Sequence, residues 1–239
     1  LTGVKIIYED NHIIAINKAS GELVQSDITE EPTIQDDVKA YLKEKYNKPG
    51  NVFLGLPHRL DRPTIGLLLL AKTSKSLGRL NRLFQKRKEI KKTYWAVVDK
   101  RPERHSATLE HYLKKNREKN KSFVYPAGTS GAKLARLTYR HVASIERYHL
   151  LEIELLTGRH HQIRVQLGTL GLRIKGDVKY GFPRPNSDRG IHLHARKLEF
   201  IHPVKKEKIM LVADPPHDPV WDEFITMFRN NEFSPVIPV

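Results

Sequence analysis

The chain contains no cysteine. Disulfides and thiolate metal sites are therefore excluded, and the composition fits a reducing compartment, so a cytoplasmic location is expected. No apolar run approaches the roughly 20 residues of a membrane-spanning helix. No signal-peptide pattern opens the chain, and no insertion into a membrane is expected. Acidic residues are scarce: 27 Asp and Glu stand against 42 Lys and Arg, a net charge of +15. Such an excess points to a polyanionic partner, either nucleic acid or an anionic membrane surface. Internal repeats and long linkers are also missing, so residues 1–239 read as a single domain with a sizeable core. No S4-like domain is read before Val4, and the start at Leu1 rather than methionine leaves the natural beginning open.

What is present is a pattern of short strands with a few helices. Val4 to Tyr8 and Ile13 to Asn17 read as two strands joined by a turn, followed by a loop from Lys18 to Gly21. Thr33 is a candidate N-cap for a helix carrying Ile34, Val38, Tyr41 and Leu42 to about Lys45, with Pro49-Gly50 as its stop. Val52 to Leu56 is expected to be a strand. Leu67 to Leu70, with no polar break, is a strand buried on both faces or a short buried helix. Ser74 is the expected cap of a second helix with Leu77, Leu80, Leu83 and Phe84 on one face. Its other face carries Arg79, Arg82, Lys86 and Arg87, either a solvated surface or an RNA-facing one. Further strands are read at Thr93 to Val98, around Leu109 to Leu113 and Leu137 to His141, and at Leu150 to Leu156. Lys114 to Lys121 reads as an exposed, mobile link. His161 to Leu170 reads as a short helix, Leu193 to Phe200 with Ile209 to Ala213 as a hairpin, and Asp218-Pro219 as the start of a last helix. The tail from Ser234 is expected to fray. The fold class is α+β, a mainly antiparallel sheet flanked by helices.

Four segments could carry chemistry. In L-P-H-R-L-D-R-P-T-I-G, Asp61 stands between Arg59 and Arg62, next to His58 and ahead of the buried Leu67 to Leu70 run. Flanking cations favour its ionised form, which suits a nucleophile or base rather than a general acid. The plainer reading is an Asp that pairs with an Arg to hold the loop. The second segment is T-G-R-H-H-Q-I-R, Thr157 to Arg164, where a turn leads into a helix start with Arg159, Ile163 and Arg164. Helix N-termini and arginines both attract anions; a polar turn with ordinary surface pairing is the alternative. Its two histidines, like His192 and His194 on one strand face, raise a metal reading. That reading is disfavoured because no carboxylate or thiolate is placed to complete a site. The third is K-K-T-Y-W-A, in which Tyr94 is either a strand tyrosine packed in the core or an aromatic platform under a nucleobase. The fourth, Gly176-Asp177-x-x-Tyr180-Gly181 followed by L-H-A-R-x-L, reads as structural turns.

In this order, with the opening V-K-I-I-Y-E-D-N-H-I-I-A-I-N-K-A-S-G, these segments resemble the RluA-type RNA pseudouridine synthases from about Val4 to Pro216. The resemblance implies the pseudouridine synthase fold: one catalytic domain with a mixed, mostly antiparallel sheet, flanking helices and a central catalytic cleft. It implies that Asp61 is the catalytic carboxylate, that Arg164 pairs with it, and that Tyr94 stacks on the target base. Arg59 matches an arginine that holds the flipped-out RNA. His58, Arg62, Arg159 and Ile163 complete the expected substrate contacts. Pro63, Ile65, His160 and Gln166 depart from the residues usual in these motifs.

The implied reaction is an isomerisation of uridine in ribosomal or transfer RNA. The bond from ribose C1′ to uracil N1 breaks, the base turns, and C1′ bonds to C5. Nothing is oxidised or hydrolysed, so no cofactor and no metal are expected. A glycosidase usually places two carboxylates across the sugar; here the motif supplies one, which suits a base that is retained. Three roles remain open for Asp61: attack on the sugar, attack on the base, or removal of a sugar proton. The rival readings are a noncatalytic RNA-binding module of the same fold and a metal-dependent nuclease. RNA is the expected partner; no protein partner can be named.

Overall fold

A computed structural model describes residues 3–26, 31–86 and 89–234. Among the described residues there are ten strands, four α-helices and one 3-10 turn. The chain divides into two compact units. The first holds residues 1–91 and 195–214, the second residues 92–194 and 215–239.

In the first unit, strands β1 (Ile6–Glu9), β2 (Ile13–Lys18) and β3 (Ile65–Ala71) form an antiparallel meander with helices α1 (Ile34–Lys45) and α2 (Ser74–Lys86). The β1–β2 turn is set by Asp10, whose Oδ1 accepts the backbone N–H groups of His12 and Ile13 at 2.8 and 2.9 Å. β3 is the buried run Ile65-Gly-Leu-Leu-Leu-Leu-Ala71, so the unbroken apolar stretch is a strand covered on both faces, not a helix. Gly66 has φ +108°, and a Cβ there would lie 2.4 Å from the carbonyl oxygen of Ala195, so only glycine admits this approach. β9 (Leu193–Ile201), from Ala195 onward, and β10 (Lys208–Val212) form the antiparallel hairpin read from the sequence.

α1 begins at the expected cap. The Thr33 hydroxyl accepts the N–H of Asp36, and the Asp36 carboxylate accepts that of Thr33, a reciprocal capping box. α2 begins at Ser74, the expected cap position itself. Thr73, not Ser74, takes that role: its Oγ1 accepts the Ser76 N–H at 3.1 Å and Ser76 Oγ accepts the Thr73 N–H at 3.3 Å. Ser76 reciprocates because its side chain is buried under the first turn. Val52 to Leu56 is not a strand. Gly55 alone exchanges a pair of backbone bonds with Ala71, and the neighbouring residues run as irregular chain.

In the second unit the strand order is β4 (Ile90–Val98, from Lys92), β8 (His149–Leu155), β7 (Lys133–Ser144), β5 (Ser106–Asn116), β6 (Lys121–Tyr125). The ladders β4–β8, β8–β7, β7–β5 and β5–β6 are all antiparallel. The Lys114 to Lys121 stretch is therefore no loose link. Lys114 to Asn116 end β5, Lys121 opens β6, and Asn116 pairs with Lys121 across a tight turn. Repulsion among the cations is relieved by solvent, while the backbone ladder and buried Leu113 and Ser122 hold the hairpin. α3 (Gln162–Thr169) and α4 (Pro219–Arg229) complete the unit. α4 is capped by Asp218, whose carboxylate accepts the N–H groups of Val220 and Trp221. Trp221 and Phe224 bury the helix against the unit, with His192 stacked on Trp221 at 5.1 Å. Ser234 is anchored, since its N–H donates to Val142 O and its carbonyl accepts from Arg140; the rest of the expected frayed tail lies outside the described residues.

Candidate active site

The expected site residues fall into two groups, one in each unit. His58, Arg59, Asp61 and Arg62 belong to the first; Tyr94, Arg159, Ile163 and Arg164 to the second.

Asp61 stands at the start of a tight turn, Asp61 to Thr64, closed by the Thr64 N–H on the Asp61 carbonyl at 3.0 Å. Pro63 suits this turn because it has no N–H to satisfy. The turn feeds directly into β3. Its tether on the upstream side is His58. The Leu69 N–H donates to His58 Nε2 at 2.9 Å, so this nitrogen is the acceptor and the ring proton sits on Nδ1. The same ring stacks on Phe84 of α2 at 4.6 Å. Arg62 ties the turn sideways: Nε donates to Gly21 O at 3.0 Å, and the two terminal nitrogens take Glu31 at 3.1 and 2.6 Å. Arg59 is exposed and reaches Gln25 Oε1 at 3.3 Å.

Beneath the turn lies Lys18, only 1 % exposed, a residue that the sequence reading assigned to a loop. Its ammonium donates to the carbonyls of Ala19, Arg62 and Thr64 at 2.9, 3.0 and 2.8 Å. Burial lowers its pKa to about 8, against the pull of Glu22 and Asp61, whose negative charges favour the ammonium. Lys18 thus fixes the backbone on both sides of Pro63 and sets a positive charge near Asp61. Its sequence signal was slight, a lysine closing an apolar strand, and lysine is among the least often buried residues.

In the second unit, Tyr94 lies opposite Ile153 in the β4–β8 ladder and is 8 % exposed. Arg159 and Arg164 are placed by the turn before α3. Gln162 stitches that turn: its Oε1 accepts the Thr157 hydroxyl at 2.6 Å and the Arg159 N–H at 3.0 Å, and its Nε2 donates to Arg136 O at 3.0 Å. His161 adopts φ 53° to turn the chain into the helix. Its Nδ1 lies 3.0 Å from the Tyr180 hydroxyl, and its ring stacks on His160 at 3.8 Å. Burial, with the charge of Arg164 adding to it, pushes its pKa down to about 2, so the imidazole is neutral. Arg159 Nε donates to Leu134 O at 2.9 Å. Ile163 is buried. Arg164 is 5 % exposed and forms a two-pronged pair with Asp177, with Nε and Nη2 each 2.7 Å from a carboxylate oxygen.

The departures from the usual motif residues have local roles. His160 Nδ1 lies 2.9 Å from Ser122 Oγ. Gln166, wholly buried, donates to Leu109 O and Ala135 O and meets His111 Nδ1 at 3.0 Å. His192 is held by Asp218 at 2.9 Å and Asn186 at 3.0 Å. Among the described residues no group of three or more His, Cys, Asp or Glu side chains is placed to hold a metal ion.

An α+β fold bearing one loop carboxylate, a strand tyrosine and a buried arginine defines a class that comparison with known proteins makes explicit. A family model described as RNA pseudouridylate synthase matches residues 12–169, a span that includes Asp61, Tyr94 and Arg164. The tRNA pseudouridine synthase C of Salmonella typhi is 31 % identical, over 94 % of this chain and 90 % of that protein. The ribosomal large subunit pseudouridine synthase C of Buchnera aphidicola is 33 % identical, over 94 % of this chain and 70 % of that protein. Among solved structures, human RNA pseudouridylate synthase domain containing 4 superposes with a TM-score of 0.75 at 25 % identity, covering 98 % of this chain and 95 % of that one. The chain belongs to the RNA pseudouridylate synthase family. Within that family it is of the RluA type, and it is by membership a pseudouridine synthase.

Proposed function

We propose that the two units form one catalytic domain that isomerises specific uridines of ribosomal or transfer RNA in the cytoplasm, with Asp61 as the catalytic carboxylate. The observation that carries this reading is the mounting of Asp61. One carboxylate sits on a closed turn, with a buried strand behind it, a buried lysine beneath it and His58 and Arg62 as lateral ties. A loop backbone held this closely preorganises the side chain it carries for chemistry. Ionised Asp61 attacks the sugar or the base, or takes a sugar proton, as the C1′–N1 bond breaks. The detached uracil is retained, turns, and bonds to C1′ through C5. The C5 proton is then lost and N1 gains one.

In this reading Arg164 is the catalytic cation, whose positive charge favours an ionised carboxylate. Tyr94, 8 % exposed, offers the uracil a flat face. Ile163 supplies an apolar wall. Arg59 and Arg159 meet the phosphates of the extruded nucleotide. His58 and Arg62 act through the loop they hold. Tritium release from RNA labelled at uracil C5 tests the assignment. Asp61→Asn is expected to bind RNA within about threefold of the wild type and to lose turnover by at least about 1,000-fold, the scale of removing a group that acts as a unit with its neighbours. Turnover that survives this substitution refutes the role of Asp61. A wild-type chain that binds RNA tightly and releases no tritium is a binding module instead.

A further inference from the structure

The Gly176-Asp-Val-Lys-Tyr-Gly181 turn, read from sequence as structural, has a conformation and a set of contacts that converge on one side chain. Asp177 is 1 % exposed, and both its carboxylate oxygens are taken by Arg164 at 2.7 Å. Tyr180, three residues on, sets its ring 5.1 Å from the Arg164 guanidinium carbon, and Lys121 lies 4.7 Å from the centre of the same ring. The Tyr180 hydroxyl is itself fixed, accepting the Ser122 N–H at 2.9 Å and lying 3.0 Å from His161 Nδ1. The backbone is equally constrained. The Asp177 carbonyl accepts the N–H groups of Tyr180 and Phe182 at 3.1 and 3.0 Å. Gly176 has φ +85°, and a Cβ there would lie 2.7 Å from the Gly190 carbonyl oxygen.

A buried ion pair is a poor means of stabilising a fold, because desolvating both charges offsets most of their attraction. It is a good means of orienting a planar group. Two parallel N–H···O bonds fix the guanidinium plane, and a ring beside it restricts rotation further. Of the five guanidinium N–H groups, Asp177 takes one from Nε and one from Nη2. The other three are thereby held in a set direction.

We propose that Asp177, with Tyr180 beside it, is a positioning residue for the isomerisation: it holds the Arg164 guanidinium in the one orientation that the reaction uses. This inference rests on the catalytic role of Arg164 proposed above. It predicts that damage to the turn reaches the chemical step and spares RNA binding, since Asp177 is buried and both its carboxylate oxygens are taken by Arg164.

The test measures kcat and KM separately by tritium release, on the full chain, with thermal unfolding followed by circular dichroism on each variant. Asp177→Asn is expected to lower kcat by about 100-fold, the cost of misplacing a reacting group by about 1 Å, with KM within about threefold. Asp177→Glu, which restores the charge, is expected to recover at least about tenfold of that loss. A merely structural role would lower the unfolding temperature and leave kcat per folded molecule unchanged, and that result overturns the proposal. So does a loss confined to KM. If Asp177→Asn does not fold, Arg164→Met is compared with Arg164→Met/Asp177→Leu, in which an apolar pair replaces the ionic one. Equal kcat in these two supports Asp177 acting through Arg164; a further drop in a folded double variant overturns it. Failure of the underlying reading looks different: Asp61→Asn or Arg164→Met would then turn over like the wild type.

Discussion

Lys18 carries a charge into the interior of the first unit and spends all three ammonium N–H groups on backbone carbonyls. Two of those carbonyls, Arg62 and Thr64, flank Pro63 in the Asp61 turn. Lys18→Met keeps most of the stem's volume and strands three buried acceptors. Each stranded group costs about 1–3 kcal/mol, partly recovered because the variant no longer buries a charge. The expected net loss is about 3 kcal/mol, read as a lower urea midpoint with an unchanged slope. Turnover at saturating RNA is expected to fall with it, because the turn is then held from the His58 and Arg62 sides alone. An unchanged midpoint with full activity would remove Lys18 from the support of the loop. The sequence pointed at Asp61, Tyr94 and Arg164 through ordered motifs. It placed Lys18 in a loop and Asp177 in a structural turn, because what makes each matter is a partner 44 to 46 or 13 positions away. Periodicity and composition say nothing about such partners.

Elements were legible where a local rule fixes them and illegible where long-range pairing does. The Thr33 cap and the Asp218-Pro219 start follow from neighbours within a few residues, while for the apolar β3 run the same neighbours gave its burial and left strand or helix open. The β5–β6 hairpin was hidden because its tip is a run of cations, in which alternation of apolar and polar residues disappears. Val52 to Leu56 failed in the opposite sense: strand-like composition with a single bridge. How elements are tied together yields two predictions. Gly66→Ala forces a Cβ onto the Ala195 backbone at a left-handed φ, so little folded protein is expected, against near-normal yield for Gly78→Ala, whose Cβ meets nothing within 4 Å. Equal yields would contradict the close approach. The second concerns Glu9, which joins β1 to α1 and to the Lys72 end of β3 through Lys45, Lys72, Tyr41 and Tyr46 at 2.6 to 2.9 Å. Burial alone would raise its pKa, but these four hydrogen bonds outweigh burial and bring it down from 4.5 to about 2. A carboxyl whose folded value is depressed adds stability that is full above pH 4.5 and is lost as the pH falls towards 2. The contribution is at most about 3 kcal/mol. Glu9→Gln is therefore expected to lower stability at pH 7 and to flatten its fall between pH 4.5 and 2 in urea titrations at each pH. A slope through that window identical to wild type would show that Glu9 is not the group responsible.

At the scale of the whole molecule the dominant quantity is the net charge of +15, which no packing argument accounts for. A chain that only had to fold would gain from fewer like charges. The excess is explained if the partner is a polyanion. On the second unit the β5–β6 hairpin concentrates Lys114, Lys115, Arg117, Lys119 and Lys121 around a single acid, Glu118. Lys121 is engaged by the Tyr180 ring, whereas Lys114, Lys115 and Lys119 are exposed. Each phosphate neutralised releases condensed counterions, so affinity for single-stranded RNA falls with a log–log slope of roughly 0.7 per contact as salt rises. Replacing Lys114, Lys115 and Lys119 by Gln is expected to reduce that slope by about 2, measured by fluorescence anisotropy between about 50 and 300 mM salt. Affinity for RNA at low salt should fall at least about tenfold, while kcat at saturating RNA stays within about twofold, because these side chains meet phosphates and not the reacting base. The two readouts separate the possibilities. A slope that does not move places the hairpin away from the RNA, whatever happens to affinity. A moved slope accompanied by a collapse of kcat would mean that the hairpin does more than hold the strand, since counterion release alone acts on binding and leaves the bound complex to react as before.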